Sequence, residues 1–512
     1  MTIEFSPPAG SPRPDSTASP AVHHGAAAAG NARAADRASA ALRQALAGES
    51  STERVLLKAA AGAGKSFVLR RLVAEALEEV GPACSRVAIV AFTNKQIYPL
   101  ATALGKELGK DRVCLFVAKA RFDEVPDAAQ QHATVVTGTT AIPLECDVVI
   151  STSHKLGAMG EMNRLREHFG AGADGGSPFD VLFVDEAWQL PHHLFDKVAK
   201  AAPITVGVGD VGQLPPLEVG ENPWRGLPGH NPYRAWPTDF DDDPATWSQE
   251  LPAVWRPAAG HLDLWRAFYP EWTELNCVAA PGDRAISTGE LSPESAAIWA
   301  QVGTGVPTLL QVDGLPAPEA PDIDLPLLEV VESLLDQLLA SGLALQSADY
   351  TVAGNPSGTT LTTRPGDASG DPLIAVLATR NQAVDDAADM VERLRVRHGL
   401  TETELVASTV DSWQGQTNGI TIAIHPLNGA DQLDEFNSAF GRLAVTCTRA
   451  THGLLMLCRP GLEQLLTQAP ARPGTPHGEP GNRQLPRQTH KRILDAFAHG
   501  TMTIDNQPEE HL

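Results

Sequence analysis

Three short stretches hold residues whose types and spacing could do chemistry. The first runs from Lys58 to Ser66 and reads KAAAGAGKS. The pattern G-x-x-x-x-G-K-[ST] describes a loop between a strand and a helix. Its backbone N–H groups cradle phosphates, its lysine reaches the β/γ oxygens and its hydroxyl holds Mg²⁺. Here Gly62, Ala63 and Gly64 supply the turn, Lys65 and Ser66 supply the contacts, and Ala59 stands at the first glycine position. The second stretch is VLFVDEAWQLP, four apolar residues ending in Asp185-Glu186. A carboxylate at the tip of a parallel strand beside such a loop can hold Mg²⁺ through water. A second carboxylate can polarise an attacking water. Two solvated acids at a strand end are the plainer alternative. The third stretch, VGVGDVGQLPPL, ends a strand at Gly209-Asp210 and puts Gln213 where it could sense a terminal phosphate.

Parallel strands are needed to bring these side chains to one edge. ERVLLKA reads as a strand and Lys65 to Val80 as a helix stopped by Gly81-Pro82. SRVAIVAF, CDVVIST, DVLFVDE and PITVGVGD are short Val/Ile-rich runs separated by helical stretches, the signature of a parallel sheet buried on both faces. PTLLQVDG, PLIAVLAT, GITIAIHP and HGLLMLCRP repeat the pattern, with long helices over DLPLLEVVESLLDQLLASG and NQAVDDAADMVERLRVRHG. The fold class expected is α/β, with two parallel-sheet domains. Residues 1–34 are expected to be a disordered tail and 35–48 a helix. Residues 35–250 form the first domain, with a small insertion at about 97–178, and 251–465 form the second. Residues 466–512 hold a Pro/Arg/Gly-rich linker and one terminal helix, KRILDAFAHG.

The chain has 512 residues and a formal net charge of −23, which argues against a protein that coats nucleic acid non-specifically. A narrow basic groove on an acidic body remains compatible with it. No apolar run approaches the roughly 18–20 residues of a membrane span, and no secretory signal is visible, so no membrane partner is expected. Six scattered cysteines without a C-x-x-C pair fit a reducing cytoplasm rather than a zinc module or a disulfide framework. The pairs His23-His24 and His192-His193 lack nearby Cys/His partners and are not read as metal ligands. The acidic run Asp239–Asp243 reads as a solvated loop.

The order of these stretches resembles that of a superfamily 1 helicase-type motor ATPase, in a compact form, over residues 40–460. KAAAGAGKS resembles motif I, whose first position in that superfamily is often not glycine. Gln44, 21 residues before Lys65, resembles the adenine-reading glutamine. IVAFTNKQ resembles motif Ia, with Phe92, Thr93 and Asn94 at the single strand, and VVISTSHKLG resembles motif Ic, with Thr152 there. VDEAWQLP and GDVGQLPP resemble motifs II and III. LPAVWRPAAG resembles the segment whose aromatic (Trp255) stacks on adenine and whose arginine (Arg256) reaches the γ-phosphate. IAVLATRNQAV resembles a strand-contacting segment of the second motor domain. STVDSWQGQTNGITI resembles motif V, with Gln414 at the strand and Gly415 at the nucleotide. LAVTCTRATHGLLML resembles motif VI, with Arg449 as arginine finger.

The resemblance implies two RecA-like domains around one ATP and its Mg²⁺, the latter held by Ser66 and Asp185. The first domain would supply Lys65, Ser66, Asp185, Glu186 and Gln213, and the second Arg256 and Arg449. It implies ATP-driven movement on single-stranded nucleic acid; DNA is the expected track, and RNA stays open because such motors contact mainly backbone and base faces. DEAWQ and GDVGQLPP resemble the RecD-like branch, and AFTNK with the Trp-Arg pair resembles UvrD-like enzymes. In motif V, Thr417 replaces the commoner glutamate and Gly419 a frequent aspartate. A second reading is a nucleic-acid-gated regulatory ATPase that does not unwind, and a third is a metabolic P-loop NTPase. Six tryptophans lie between 220 and 275. Apart from Trp255 they read as packing rather than base-stacking residues. Lys106, Lys110, Arg112, Lys119 and Arg121 are open to either phosphate contact or a solvated face.

Overall fold

A computed structural model describes residues 3–9, 21–79, 83–170, 175–212, 231–270, 272, 274–320, 323–367, 370–379, 381–433, 440–469 and 486–504. Two large sheets organise the chain. The first has eight strands in the order Thr134–Val136, Val113–Phe116, Val148–Thr152, Val87–Ala91, Val181–Asp185, Ile204–Asp210, Arg54–Ala59, Thr246–Leu251. Every neighbouring pair in it is parallel. Alternate residues of these strands enter different core clusters. Val55, Leu57, Val87, Ile89, Val181 and Phe183 pack on one face. Leu56, Ala88, Val90, Leu182 and Val184 pack on the other. A sheet covered on both faces needs such unbroken apolar strands, which is why the Val/Ile runs were readable.

The second sheet has seven strands, in the order Phe5–Ser6, Ala498–Thr503, Thr308–Asp313, Ala450–Cys458, Asn418–Ile424, Ile374–Ala378, Leu405–Thr409. Only the pairing of Phe5–Ser6 with Ala498–Thr503 is antiparallel. A three-stranded antiparallel sheet, Arg284–Ser287, Ala344–Tyr350 and Pro356–Thr363, is attached to this half. Among the described residues no helix is long and apolar enough to cross a membrane.

Several expectations are corrected. The first helix spans His24–Leu46, not 35–48, so part of the expected disordered tail is helical. Its buried face is mainly alanine, which gives little hydrophobic contrast along the sequence. Residues 10–20 of that tail lie outside the described residues. The segment 97–178 is not a separate insertion, because it supplies three strands that continue the first sheet. Residues 251–279 lie between the two sheets. Trp265, Phe268, Tyr269, Trp272 and Leu275 share one core with Val55 and Leu57 of the first sheet and with Leu454, Met456, Ile493 and Phe497 of the second half. Arg492 donates to the carbonyl of Ala267, and Ala253–Val254 pairs with Asn276–Cys277. The terminal segment is a helix, Pro486–Leu494, followed by the strand Ala498–Thr503. Most of the expected linker, 470–485, lies outside the described residues. The acidic run is not a free loop, since Asp239, Asp241 and Asp243 pair with Arg234, Lys58 and Arg54.

Candidate active site

The phosphate loop follows the strand Arg54–Ala59, and the helix Lys65–Glu79 leaves it. Ala59 is the last strand residue, paired with Asp210 on one side and Leu251 on the other. Its backbone is extended, so glycine is not needed there. The left-handed positions are Gly62 (φ 73°) and Gly64 (φ 91°), where an L side chain is strained. Gly62 is also pressed from outside. A Cβ on it would lie 2.4 Å from Arg256 Cβ, and its carbonyl accepts the backbone N–H of Trp255 at 2.8 Å.

The strand order carries three acids to the loop's edge. Asp185 ends the strand Val181–Asp185, Glu186 follows it, and Asp210 ends Ile204–Asp210. Lys65 Nζ stands 3.5 Å from Glu186 Oε1 and 3.8 Å from Asp210 Oδ2. Glu186 Oε2 and Asp210 Oδ2 are buried without a hydrogen-bond partner. Glu186 is held at φ 50°, one of two non-glycine residues in the left-handed region among those described. Such strain concentrates at functional sites. The tight turn after it fits because its neighbour strand carries glycines: a Cβ on Gly209 would lie 2.7 Å from Trp188 Cε3. Burial, then the adjacent Glu186, pushes the Asp185 carboxyl up from its ordinary value.

Two arginines face these acids. Arg449 ends the turn before the strand Ala450–Cys458 and is held by Val445 O, Gln416 O and Thr448 Oγ1. Arg256 donates to the carbonyl of Thr448, which ties the first half to the second. Burial, and then the nearby Arg449, pushes Arg256 down to about 9. Burial lowers Arg449 as well, and Asp210, Tyr269 and Glu186 oppose that shift. Two desolvated arginines side by side are costly unless anionic charge lies between them. The orphaned acid oxygens, the Lys65 ammonium paired only with those acids and the paired arginines together fit a polyanion with a hard cation. Of the expected site residues, Lys65, Asp185, Glu186, Arg256 and Arg449 are thus brought together. Ser66 is exposed in the first turn of the loop's helix. Gln213 lies outside the described residues. Arg256 lies at the junction, against Gly62 of the loop and bonded to Thr448 of the second half.

Gln44 is not at this site. The first helix touches the loop through Asn31, whose Nδ2 donates to Ala63 O and Ala253 O while its Oδ1 accepts Ala253 N–H. Gln44 is thirteen residues further along the same helix, about 20 Å away at the rise of an α-helix. It is exposed beside Glu49, toward the opposite edge of the sheet. Sequence distance to Lys65 was the right kind of signal, but it ignored the direction in which the helix runs. Trp255 does lie at the loop, its ring 3.8 Å from a Cβ placed on Gly64, and its far edge meets Gly354.

The expected strand-contacting residues form one patch on the first sheet. Ala91 and Thr152 are in register on adjacent strands. Phe92, Thr93 and Asn94 follow directly, and the Phe92 ring lies 5.6 Å from that of His154. On the second sheet Gln414 and Gly415 (φ 82°) lie in the turn after Leu405–Thr409 that also supplies Gln416 O to Arg449. The departure at Gly419 has a steric cause: a Cβ there would lie 2.6 Å from the backbone carbonyl oxygen of Leu373. Trp236, Trp265 and Trp272 are buried core residues, and Trp224 lies outside the described residues. Lys110, Arg112 and Arg121 are engaged by Gln130 O, Asp147 and Glu124.

Two side chains without a signal in the sequence brace the loop. Tyr269 donates its hydroxyl to Asp210 Oδ1 at 2.7 Å and accepts the N–H of Ala61 at 3.0 Å. Trp265 Nε1 donates to the carbonyl of Ala61 at 2.9 Å. Together they fix the phosphate loop from its far side. Nothing in the spacing of their tryptophan-rich segment shows that it folds back onto the loop.

Residues 42–218 match the family described as AAA domain. None of the curated proteins compared matches the chain. Among solved structures, the PRRSV helicase is similar at 15% identity, covering 83% of this chain and 56% of that one, with a TM-score of 0.37. The complex of arterivirus nonstructural protein 10 (helicase) with DNA is similar at 16% identity, covering 83% and 64%, with a TM-score of 0.36. The chain therefore spans less than two thirds of the length of either.

Proposed function

We propose that this chain, whose residues 42–218 match the AAA domain family, is a P-loop NTPase of the superfamily 1 helicase type that hydrolyses ATP between its two sheets and couples this to single-stranded nucleic acid. The observation that carries the reading is the meeting of Lys65, Glu186 and Asp210 with Arg256 and Arg449 across one seam. Ser66 and Asp185 would hold the Mg²⁺, which supplies charge neutralisation on the phosphates. Lys65 leaves its acid neighbours to bind the phosphates. Glu186, with one oxygen unpartnered, accepts a proton from the attacking water. Arg256 and Arg449 balance the charge that develops on the terminal phosphoryl group. Because Arg449 belongs to the second half, hydrolysis depends on how the halves are closed, and closure against a bound strand moves the protein along it.

DNA is proposed as the track, contacted at Phe92, Thr93, Asn94, Thr152 and Gln414. The reading is tested by steady-state ATPase with and without single-stranded DNA, and then RNA, of equal length. Stimulation by one polymer supports it and names the track. A rate indifferent to both, at low and moderate salt, would leave a nucleotide hydrolase without a polymer and refute the coupling.

A further inference from the structure

We infer that Gln96 is a positioning residue that transmits occupancy of the strand-contacting turn to Glu186. The inference rests on the proposed function and adds its internal coupling. Thr93 precedes the helix Asn94–Leu108, and its backbone N–H donates to Gln96 Oε1 at 2.9 Å. That bond fixes the amide's orientation, because an N–H needs an oxygen opposite it. The other end of the amide, Nε2, therefore points away from Thr93 and donates to Gln189 Oε1 at 2.9 Å. Gln189 lies in the turn that follows Glu186, and its own N–H donates to the Glu186 carbonyl at 2.8 Å. Three hydrogen bonds thus run from the candidate polymer contact at Thr93 to the backbone of the candidate base.

The two ends of this path differ in stiffness. Gln189 is buried, and the strand beside its turn is packed through Gly209 against Trp188. Glu186 sits in the narrow left-handed region at φ 50°, where a small displacement of its carbonyl must be taken up by rotation of the residue. The Thr93 end is exposed and is free to respond to a ligand. A strand that draws on Thr93 and Asn94 changes the cap, the cap holds Gln96, and Gln96 sets the turn that aims the Glu186 carboxylate. Gln96 itself touches neither nucleotide-site group nor reacting atom, so its removal separates coupling from chemistry.

The test uses the full chain with Gln96→Met and Gln189→Met, which keep side-chain length and remove the amide. ATPase is measured at saturating ATP over a titration of single-stranded DNA, and DNA affinity is measured in parallel by fluorescence anisotropy. For Gln96→Met the expected result is an unchanged polymer-free rate, retained DNA affinity and a stimulation reduced about tenfold, within the usual range of allosteric coupling. Gln189→Met, which leaves the Thr93–Gln96 bond in place, should lose stimulation to the same degree. Wild-type stimulation in either variant overturns the inference. So does a loss of stimulation explained by lost DNA affinity, which would make Gln96 only a cap of the binding turn. A wild-type enzyme stimulated by neither DNA nor RNA would fell the proposed function and this inference together, whereas the first two outcomes leave that function standing.

Discussion

Tyr269→Phe isolates one hydroxyl at the back of the phosphate loop. The ring itself is retained, stacked on Trp272 with centroids 4.9 Å apart and packed where a Cβ on Gly212 would come within 2.5 Å of it. No cavity of consequence is opened. What goes is a donor to the Asp210 carboxylate and an acceptor for the Ala61 N–H. A hydrogen bond to a charged group contributes about 1.5–3 kcal/mol, and a buried amide left without a partner costs about 1–3 kcal/mol. The two losses share one hydroxyl, so the expected destabilisation is about 2–4 kcal/mol rather than their full sum. The assay is the urea midpoint followed by tryptophan fluorescence, together with binding of a fluorescent ATP analogue. The loop should loosen and nucleotide affinity should fall along with stability. A change below about 0.5 kcal/mol, the level of an ordinary surface substitution, with unchanged nucleotide affinity, would refute the claim that Tyr269 holds the loop to Asp210.

Lys65→Ala is expected to abolish hydrolysis. Glu186→Gln should abolish it too but still bind ATP, since the loop and Asp185 are untouched; hydrolysis at the wild-type rate in the glutamine variant would remove Glu186 from the role of base. His261→Leu should make the protein less sensitive to acid. Both ring nitrogens of His261 are buried without a partner. Burial, then Arg284 and His452, pushes it from 6.5 down to about 3, with the Trp265 ring edge-on beside it. The folded state resists protonation that the unfolded state accepts, so stability is full above pH 6.5 and falls as pH drops toward the folded value. By pH 4 the loss from this one group is on the order of 3 kcal/mol. Denaturant melts across that window should show a shallower decline in the leucine variant, and an identical decline would contradict the assignment.

The parallel strands and the acids at their tips were legible because a sheet covered on both faces demands unbroken apolar runs, and a loop that must turn at φ > 0 demands glycine at 62 and 64. Ala59 was legible as tolerable only once its place in the strand was known. What the sequence could not show follows from long-range packing. Tyr269 and Trp265 reach the loop by folding back across some two hundred residues of chain. Gln44 was misplaced because its helix begins at His24, hidden in an alanine-rich stretch, and carries Asn31 rather than Gln44 to the loop. The segment 97–178 resembles an insertion in sequence because Val113–Phe116 and Thr134–Val136 are too short to announce themselves as strands of the main sheet. The amide link from Gln96 to Gln189 joins two motifs that each looked complete alone.

The placement of Arg449 makes one ATP site that both halves complete. Single-turnover hydrolysis by Arg449→Ala at saturating nucleotide and polymer tests it most directly, with nucleotide binding measured on the same protein. An arginine that stabilises the transferring phosphoryl group contributes about 10³–10⁵ in rate. Arg449→Ala is therefore expected to lose at least about a thousandfold in the chemical step, with ATP still bound. A variant that hydrolyses at the wild-type rate would contradict it, because the first half would then be a complete enzyme without the second.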